Sequence, residues 1–432
     1  MKLQDSKNIH FIGIGGIGTS SLAQILLNKE KTISGSDITR SSITNQLEKS
    51  GIEVHIGHNK ENVNSSHELV IHSPAIPSTN PELEKAKLLN IKTLTYPEAL
   101  GELTEEYYTI AVAGTHGKST TTAMTSLILE KNNLDPTVII GTKVKQFNNL
   151  NFRIGKSEKL VVEACEYKRS FLSINPDILV ITNIEADHLD YYKDLEDYES
   201  AFIELIKRVP RDGYVIINRD NKRLKALAEH ANAEIIEWSD HDTNRIELNL
   251  QVAGNFNQEN ARNAATVGKV LNIPDEDIKE ALESFTGTWR RMDHKEVAGY
   301  KTTFIDDYAH HPTEIELTLN AIREKYPDKK ILTIFQPHQY SRTKMLLEEF
   351  GGAFIQADKV VIPNIYEVRD SEEDIKKVNV DDLVNEIKKH KVDAANGEGL
   401  EKTAEFVKET HKEWDIIITM GAGDITNIYK LF

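Results

Sequence analysis

The sequence predicts an α/β protein of three successive units, each built on a mostly parallel sheet. Three observations predict it. The chain has 432 residues, more than one hydrophobic core usually organises. Apolar runs of strand length alternate with helical patterns from one end to the other. Two glycine loops, Gly13 to Gly18 and Gly114 to Gly117, each follow a strand and open a helix, as in a βαβ unit.

In the first unit the pattern gives a strand over Ile9 to Ile14, a helix over Ile17 to Leu27, a strand over Thr32 to Ser34 and a helical stretch around Gln46 to Lys49. Glu68 to Ser73 reads as a strand, and Pro81 to Leu89 as a helix capped by Asn80 with proline just inside. That unit closes near Glu102 to Glu106. The second opens with the strand Thr109 to Ala113, a helix through about Glu130, and further strands at Leu160 to Glu163, Ile178 to Asn183 and Tyr214 to Asn218. A linker near Thr286 to His294 precedes the third, whose strands are Thr302 to Ile305, Ile331 to Phe335, Lys359 to Ile362 and Asp415 to Thr419. The expected domains are residues 1–106, 107–292 and 293–432.

Composition narrows the function classes. With 39% hydrophobic, 28% charged and 7% aromatic residues the chain is that of a soluble globular protein. No apolar run reaches the length of a membrane span, and the N-terminus lacks a signal-type core, so a cytoplasmic location is expected. One cysteine, Cys165, excludes an internal disulfide and a cysteine-cage metal site, and reads as a small buried thiol. A net charge of −16 argues against broad contact with nucleic acid or anionic membranes, and leaves small anionic substrates open.

The segment Gly114-Thr115-His116-Gly117-Lys118-Ser119-Thr120, between a strand and a helix, points backbone N–H groups at an anion. Such a loop suits the triphosphate of ATP, with Lys118 on the β and γ phosphates and the hydroxyl of Ser119 or Thr120 on Mg2+. Val112 stands where a strict Walker A loop has its first glycine. Replacing Lys118 by alanine is expected to abolish ATP turnover with the fold intact. Two strands downstream end in polar groups: Glu163 closes one, and Asn183, Glu185, Asp187 and His188 follow the other. Ligands gather at the carboxyl ends of strands in open α/β sheets, which places Glu163 and His188 to hold two metal ions against the γ phosphate. Taken alone, Glu163 reads equally as a solvated strand end.

At this point the chain resembles the Mur ligases of peptidoglycan synthesis over its whole length. The resemblance rests on His10 to Gly18, Gly114 to Thr122, Glu163-Ala164-Cys165-Glu166 with Ser170-Phe171-Leu172, and Thr182 to His188. It continues in Asp306 to Glu314, Gln336 to Thr343 and Met420 to Asp424. It implies a Rossmann-like N-terminal domain for a UDP-sugar, a central P-loop-type ATP-binding domain and a Rossmann-like C-terminal domain for an amino acid. It further implies that ATP phosphorylates the carboxylate of UDP-N-acetylmuramate and that the amine of L-alanine displaces phosphate, giving an amide.

Carried over residue by residue, the family's roles put one Mg2+ on Ser119 and Glu163 and a second on His188. The UDP-sugar falls to Gly13, Gly15, Gly16, Gly18, Asp37 and Ser73. The nucleotide falls to Asn257, Asn260, Arg291 and Asp307 beside the loop residues, and the amino acid to Tyr308, His310 and Arg342, with His310 counted among the catalytic groups. Asn257 reads equally as a helix cap, and Arg290 and Arg291 as solvated linker residues. Phe256 replaces a usual histidine, Gln339 stands where many alanine-adding members carry a second arginine, and Phe202 falls where later-acting members carry a carbamylated lysine. Two other readings remain: a murein-peptide recycling ligase adding a tripeptide, and an NAD-dependent dehydrogenase that treats Gly13 to Gly18 as primary.

Overall fold

The computed structural model describes residues 2–188, 191–368 and 370–432. The first sheet contains β1 (Asn8–Ile12), β2 (Thr32–Asp37), β3 (Glu53–Ile56), β4 (Leu69–His72) and β5 (Lys92–Thr95), in the order β3-β2-β1-β4-β5 with every pair parallel. Strand β1 is central, and its residues 9–12 are buried. A strand covered on both faces reads as a continuous apolar run, so β1 was legible. The edge strands β3 and β5 are short, only partly buried and carry Glu53, His55 and Lys92, which hides them in the sequence.

The second sheet has β6 (Tyr108–Ala113), β7 (Thr137–Val144), β8 (Leu150–Arg153), β9 (Lys159–Glu163), β10 (Ile178–Ile181), β11 (Tyr214–Asn218) and β12 (Glu234–Trp238), ordered β12-β11-β10-β6-β9-β7-β8. All neighbours are parallel except β7 and β8. That hairpin, which the sequence reading missed, turns through Asn148 and Asn149 at φ +56° and +58°, a region asparagine tolerates. The third sheet has β13 (Asp293–Lys295), β14 (Thr303–Asp307), β15 (Ile331–Phe335), β16 (Lys359–Ile362), β17 (Asp393–Asn396) and β18 (Ile416–Met420), ordered β13-β14-β18-β15-β16-β17. Only β13 and β14 pair antiparallel.

The helices begin where the caps placed them. Asn80 accepts from the N–H of Glu82 at 2.9 Å and of Leu83 at 3.4 Å, starting the helix Pro81–Leu88 with proline in its first turn. Below the second sheet a fully buried aromatic group forms: Phe202 lies edge-on to Phe171 at 5.1 Å and beside Tyr198 at 5.1 Å, and Tyr198 meets Tyr192 at 4.8 Å. These rings pack the helix Leu195–Ile206 against the segment Tyr167–Ser173. Lysine at position 202 would bury a charge in that cluster.

The chain divides into two compact units, Met1–Asn249 with Glu259–Phe285, and Leu250–Gln258 with Thr286–Phe432. The short segment before Glu259 belongs to the second unit through contacts such as Gly254, whose φ is +97° and whose Cα faces Phe256 and Ala321. Among the described residues no helix is long and apolar enough to cross a membrane.

Within the first unit, the helix Tyr96–Thr104 lies close over the turn ending at Ser173, and a Cβ on Gly101 would overlap the Ser173 carbonyl. Backbone cannot yield as a flexible side chain can. Gly101→Ala should therefore lower the unfolding free energy by about 1–3 kcal/mol, read from urea denaturation.

Candidate active site

Strand β6 pairs with β9 so that Val112 faces Glu163, and with β10 so that Ala113 faces Ile181. The loop after β6 thus meets the ends of both neighbours. Thr115 donates its N–H to Asn183 O at 3.0 Å, His116 donates its N–H to Asn183 Oδ1 at 2.8 Å, and Thr182 donates its hydroxyl to His116 O at 2.6 Å. Gly114, at φ +136°, lies so close to Thr182 that a side chain would collide with its hydroxyl. Gly117, at φ +78°, is the residue preceding the helix Lys118–Lys131 and lies against Asn260.

At the head of that helix Ser119 donates to both carboxylate oxygens of Glu163, at 3.0 and 2.9 Å, and Glu163 also accepts the N–H of Gly141 at 2.7 Å. Thr120 is buried in the first turn. The two hydroxyl-bearing candidates for the metal are thereby separated, since it is Ser119 that faces the carboxylate. Glu163 is no solvated strand end.

Lys118 curls over its own loop, donating to Gly114 O at 2.6 Å, Thr115 O at 2.9 Å and Glu166 at 3.0 Å. Glu166 is 1% exposed. Burial alone disfavours both charges, but their mutual attraction wins, holding Lys118 above its ordinary range and Glu166 below the carboxylate range. His188, at φ +54°, brings Nε2 to 3.3 Å from Glu166 and 3.7 Å from Asp187, and the ligand atoms of these three residues lie within 4.8 Å of one another. The expectation gave His188 a metal of its own, apart from Ser119 and Glu163; in the structure its immediate neighbours are Glu166 and Asp187. Sequence reasoning gave Glu166 no role of its own, although it is a carboxylate three residues beyond the end of β9.

In the first sheet the loop after β1 is held by β2. Ser36 O accepts the N–H of Gly13 at 2.8 Å and of Ile14 at 3.0 Å, and Asp37 Oδ2 accepts the N–H of Gly15 at 2.8 Å. Gly13, at φ +77°, sits beside Ser73, whose N–H donates to Ile12 O at 3.0 Å. Gly16 packs on Thr19, and Gly18 lies under the ring of Tyr96, where a Cβ would approach to 2.6 Å. All six expected UDP-sugar residues therefore surround one loop, with Asp37 turned onto the loop backbone.

Cys165 departs from expectation. It is exposed, lining a cavity of about 270 Å³ with Ile17, Gly18, Tyr96, Ile140 and Glu163.

In the second unit, Asp306 and Asp307 end β14 with different partners. Arg290, 2% exposed, pairs with Asp306 at 3.1 Å and donates to Gly421 O at 2.5 Å, so it ties β14 to the end of β18 rather than standing solvated. Arg291 is half-buried, over the Tyr308 ring at 5.3 Å and 3.5 Å from Glu314. Asp307 accepts from Met292 N at 2.7 Å and Ala309 N at 2.8 Å. His310 lies edge-on to Tyr308, with Nδ1 3.1 Å from Tyr308 O and 3.3 Å from Glu314. Arg342, buried in the helix Tyr340–Met345, lies 3.4 Å from His338 Nδ1, and His338 lies 6.0 Å from the His310 ring. Tyr308, His310 and Arg342 thus share one sheet edge. Gln339 is buried at φ +76° and donates to Val368 O at 3.2 Å, which commits its amide to the loop. Asn257 donates to Ala253 O at 2.7 Å in the first turn of the helix Asn255–Val270, whereas Asn260 accepts from Thr121 at 3.2 Å.

Three family models match the chain: the catalytic domain of the Mur ligase family over residues 8–108, the Mur ligase middle domain over 112–247, and the Mur ligase glutamate ligase domain over 290–423. The chain is 41% identical to UDP-N-acetylmuramate–L-alanine ligase of Clostridium botulinum, across 99% of this chain and 97% of that protein. It is 42% identical to the ligase of the same name from Acetivibrio thermocellus, across 99% and 95%. Among solved structures, UDP-N-acetylmuramate-alanine ligase of Thermotoga maritima superposes with a TM-score of 0.82 at 26% identity, covering 98% of this chain and 97% of that one. A murein peptide ligase from Psychrobacter arcticus shares the fold, with a TM-score of 0.74 at 22% identity over 98% and 97%.

The Lys118–Glu166 pair changes what a substitution does. Lys118→Ala strands a buried carboxylate, so it should lower the unfolding free energy by about 3 kcal/mol as well as remove ATP turnover, and the fold is not left untouched. Lys118→Ala with Glu166→Ala should regain most of the stability and none of the turnover, read from urea denaturation and phosphate release. Asp307 gives a pH signature. Burial outweighs Arg291 and two N–H donors and raises its carboxyl to about 6. An unfolded aspartate titrates near ~3.9, so the folded chain holds the extra proton between these values and this group's contribution to stability declines as pH rises through that window. A carboxyl-carbon NMR titration should place the Asp307 midpoint near 6, and a midpoint below 4.5 would refute this.

Proposed function

This chain belongs to the Mur ligase family, and from that premise we propose that it uses ATP to join the lactyl carboxylate of UDP-N-acetylmuramate to the amine of L-alanine in cytoplasmic peptidoglycan precursor synthesis. The observation that carries the reading is the convergence of Lys118, Ser119 and Glu163 at the carboxyl ends of β6 and β9. It occurs in a chain 41% identical, over nearly its whole length, to a ligase of that name.

The loop N–H groups of Gly114 to Thr120 and the Lys118 ammonium hold the phosphates of ATP and stabilise charge moving toward the bridging oxygen. Ser119 and Glu163 offer hard oxygen donors side by side, a set that suits Mg2+, and His188 with Asp187 and Glu166 offers a second. Bound there, magnesium would supply charge neutralisation at the β and γ phosphates. The lactyl carboxylate oxygen attacks the γ phosphorus and ADP leaves, giving an acyl phosphate. The neutral amine of alanine attacks the acyl carbon, and phosphate departs with the bonding pair.

The remaining residues bind and orient. Gly13, Gly15, Gly16, Gly18, Asp37 and Ser73 receive the UDP-sugar, Asn257, Asn260, Arg291 and Asp307 the nucleotide, and Tyr308, His310 and Arg342 the amino acid. His310, with Nδ1 3.1 Å from Tyr308 O, takes the ammonium proton on its imidazole. Arg342 pairs with the alanine carboxylate through its planar fork. Gln339, held by Val368, is no substitute for a second arginine, so the clamp depends on Arg342.

Product mass after incubation with UDP-N-acetylmuramate, ATP, Mg2+, mixed amino acids and the tripeptide should show the alanyl adduct, one phosphate per amide. A tripeptide adduct, or NADH binding without any ATP-dependent product, would sink the proposal. Arg342→Ala should raise KM for alanine by about ten- to hundredfold, the worth of a lost charge-assisted pair, while KM for ATP stays within twofold.

A further inference from the structure

Glu82, in the first turn of the helix Pro81–Leu88, is a carboxylate with no exposed surface. Both its oxygens are occupied. Ser36 donates its hydroxyl to Oε2 at 2.5 Å, while Asn62 donates its amide to Oε1 at 2.5 Å and Asn59 its N–H at 3.2 Å. Burial alone would raise this carboxyl, but the nearby His10 and the hydrogen bonds from Ser36 and Asn62 outweigh it and hold it below its ordinary range, ionised.

The histidines around it can be given tautomers from the direction of their bonds. His67 accepts the N–H of Asn64 on Nδ1 at 3.1 Å, so its proton is on Nε2, which donates to Ser34 Oγ at 3.2 Å. The Ser34 hydroxyl then donates to His10 Nδ1 at 2.8 Å, which puts the His10 proton on Nε2, 3.6 Å from Glu82. Because Ser36 spends its proton on Glu82, its oxygen accepts from His58 Nδ1 at 3.0 Å. One carboxylate thus joins β1 through His10, β2 through Ser36, the segment after β3 through His58, Asn59 and Asn62, and its own helix.

Ser36 is the link to function. Its carbonyl receives the N–H groups of Gly13 and Ile14, and the neighbouring Asp37 receives that of Gly15. The residue that Glu82 fixes by its side chain therefore fixes the glycine loop by its backbone. A buried charge is an inefficient way to gain stability, since an apolar group of the same volume often does as well. A fully donated carboxylate is efficient at holding several segments in one register.

We infer that Glu82 is a positioning residue for the loop Gly13 to Gly18, setting through Ser36 the backbone that receives the diphosphate of the nucleotide sugar. It rests on the nucleotide-sugar reading of that loop. Glu82→Gln keeps volume but presents an NH2 to one of two sides that both donate, so either the Ser36 or the Asn59–Asn62 connection breaks. UDP-N-acetylmuramate and ATP binding are measured by calorimetry on the full chain, with KM and kcat, for Glu82→Gln, Ser36→Ala and the double variant.

Glu82→Gln should weaken UDP-N-acetylmuramate binding and raise its KM at least tenfold, with kcat at saturation and ATP affinity within twofold. In the Ser36→Ala background the same change should have less than half its single-variant effect on a logarithmic scale, because the two act in series. Unchanged nucleotide-sugar affinity, an equal loss of ATP affinity, or full additivity overturns the inference. Should Glu82→Gln not fold, Ser36→Ala alone decides, and wild-type affinity there overturns it. A native chain that does not bind UDP-N-acetylmuramate overturns the reading of the loop and the inference with it, whereas binding by the native chain with unchanged variants overturns the inference alone.

Discussion

Parallel pairing of β6 with β9 on one side and β10 on the other is the constraint on which the site depends. It places the ends of three strands, far apart in sequence, at one level. The loop from Gly114 then has Glu163 on one flank and Thr182 and Asn183 on the other; Gly114 is required because Thr182 and Asn183 leave no room for a side chain, and Gly117 because Asn260 leaves none. Ligand sites at the carboxyl ends of central strands follow from this arrangement, since a strand with neighbours on both sides points its loop into the crevice between their connections. The first sheet repeats the device. Strand β1 lies between β2 and β4, and its loop is held by Ser36 and Asp37 on one side with Ser73 on the other.

Electrostatics adds a second layer. Lys118 and the buried Glu166 each hold the other charged, with His188 beside them, so the lysine of the loop is also part of the fold. Glu82 plays the corresponding part in the first sheet with neutral donors in place of a cation. In both places a carboxylate that costs stability when isolated becomes a fixed reference point once several partners hold it.

Much of the fold was legible because central parallel strands are buried on both faces and read as apolar runs. Thus β1, β6, β10 and β15 stood out, and Asn80 marked its helix through a capping bond that needs only local sequence. Edge strands were not legible. Strands β3, β5 and β17 are short and polar, β12 is mostly exposed, and the hairpin β7–β8 turns on two asparagines at positive φ that no hydrophobic period announces. Cys165 was misjudged for a related reason. Burial of a small thiol is a statistical tendency, and whether a cavity opens beside it is settled by the distant Ile17 and Tyr96.

By itself the sequence determined the strand–loop–helix units and the two glycine loops, because these depend on local periodicity and on conformations that glycine adopts most readily. Only the tertiary structure decided which carboxylate meets which donor. Ser119 rather than Thr120 faces Glu163, His188 meets Glu166, Arg290 is locked to Asp306 while Arg291 is half-buried beside Tyr308, and Glu82 reaches Ser36. Those pairings join residues from 16 to 46 positions apart, and their geometry is set by strand order and register, which no local pattern encodes.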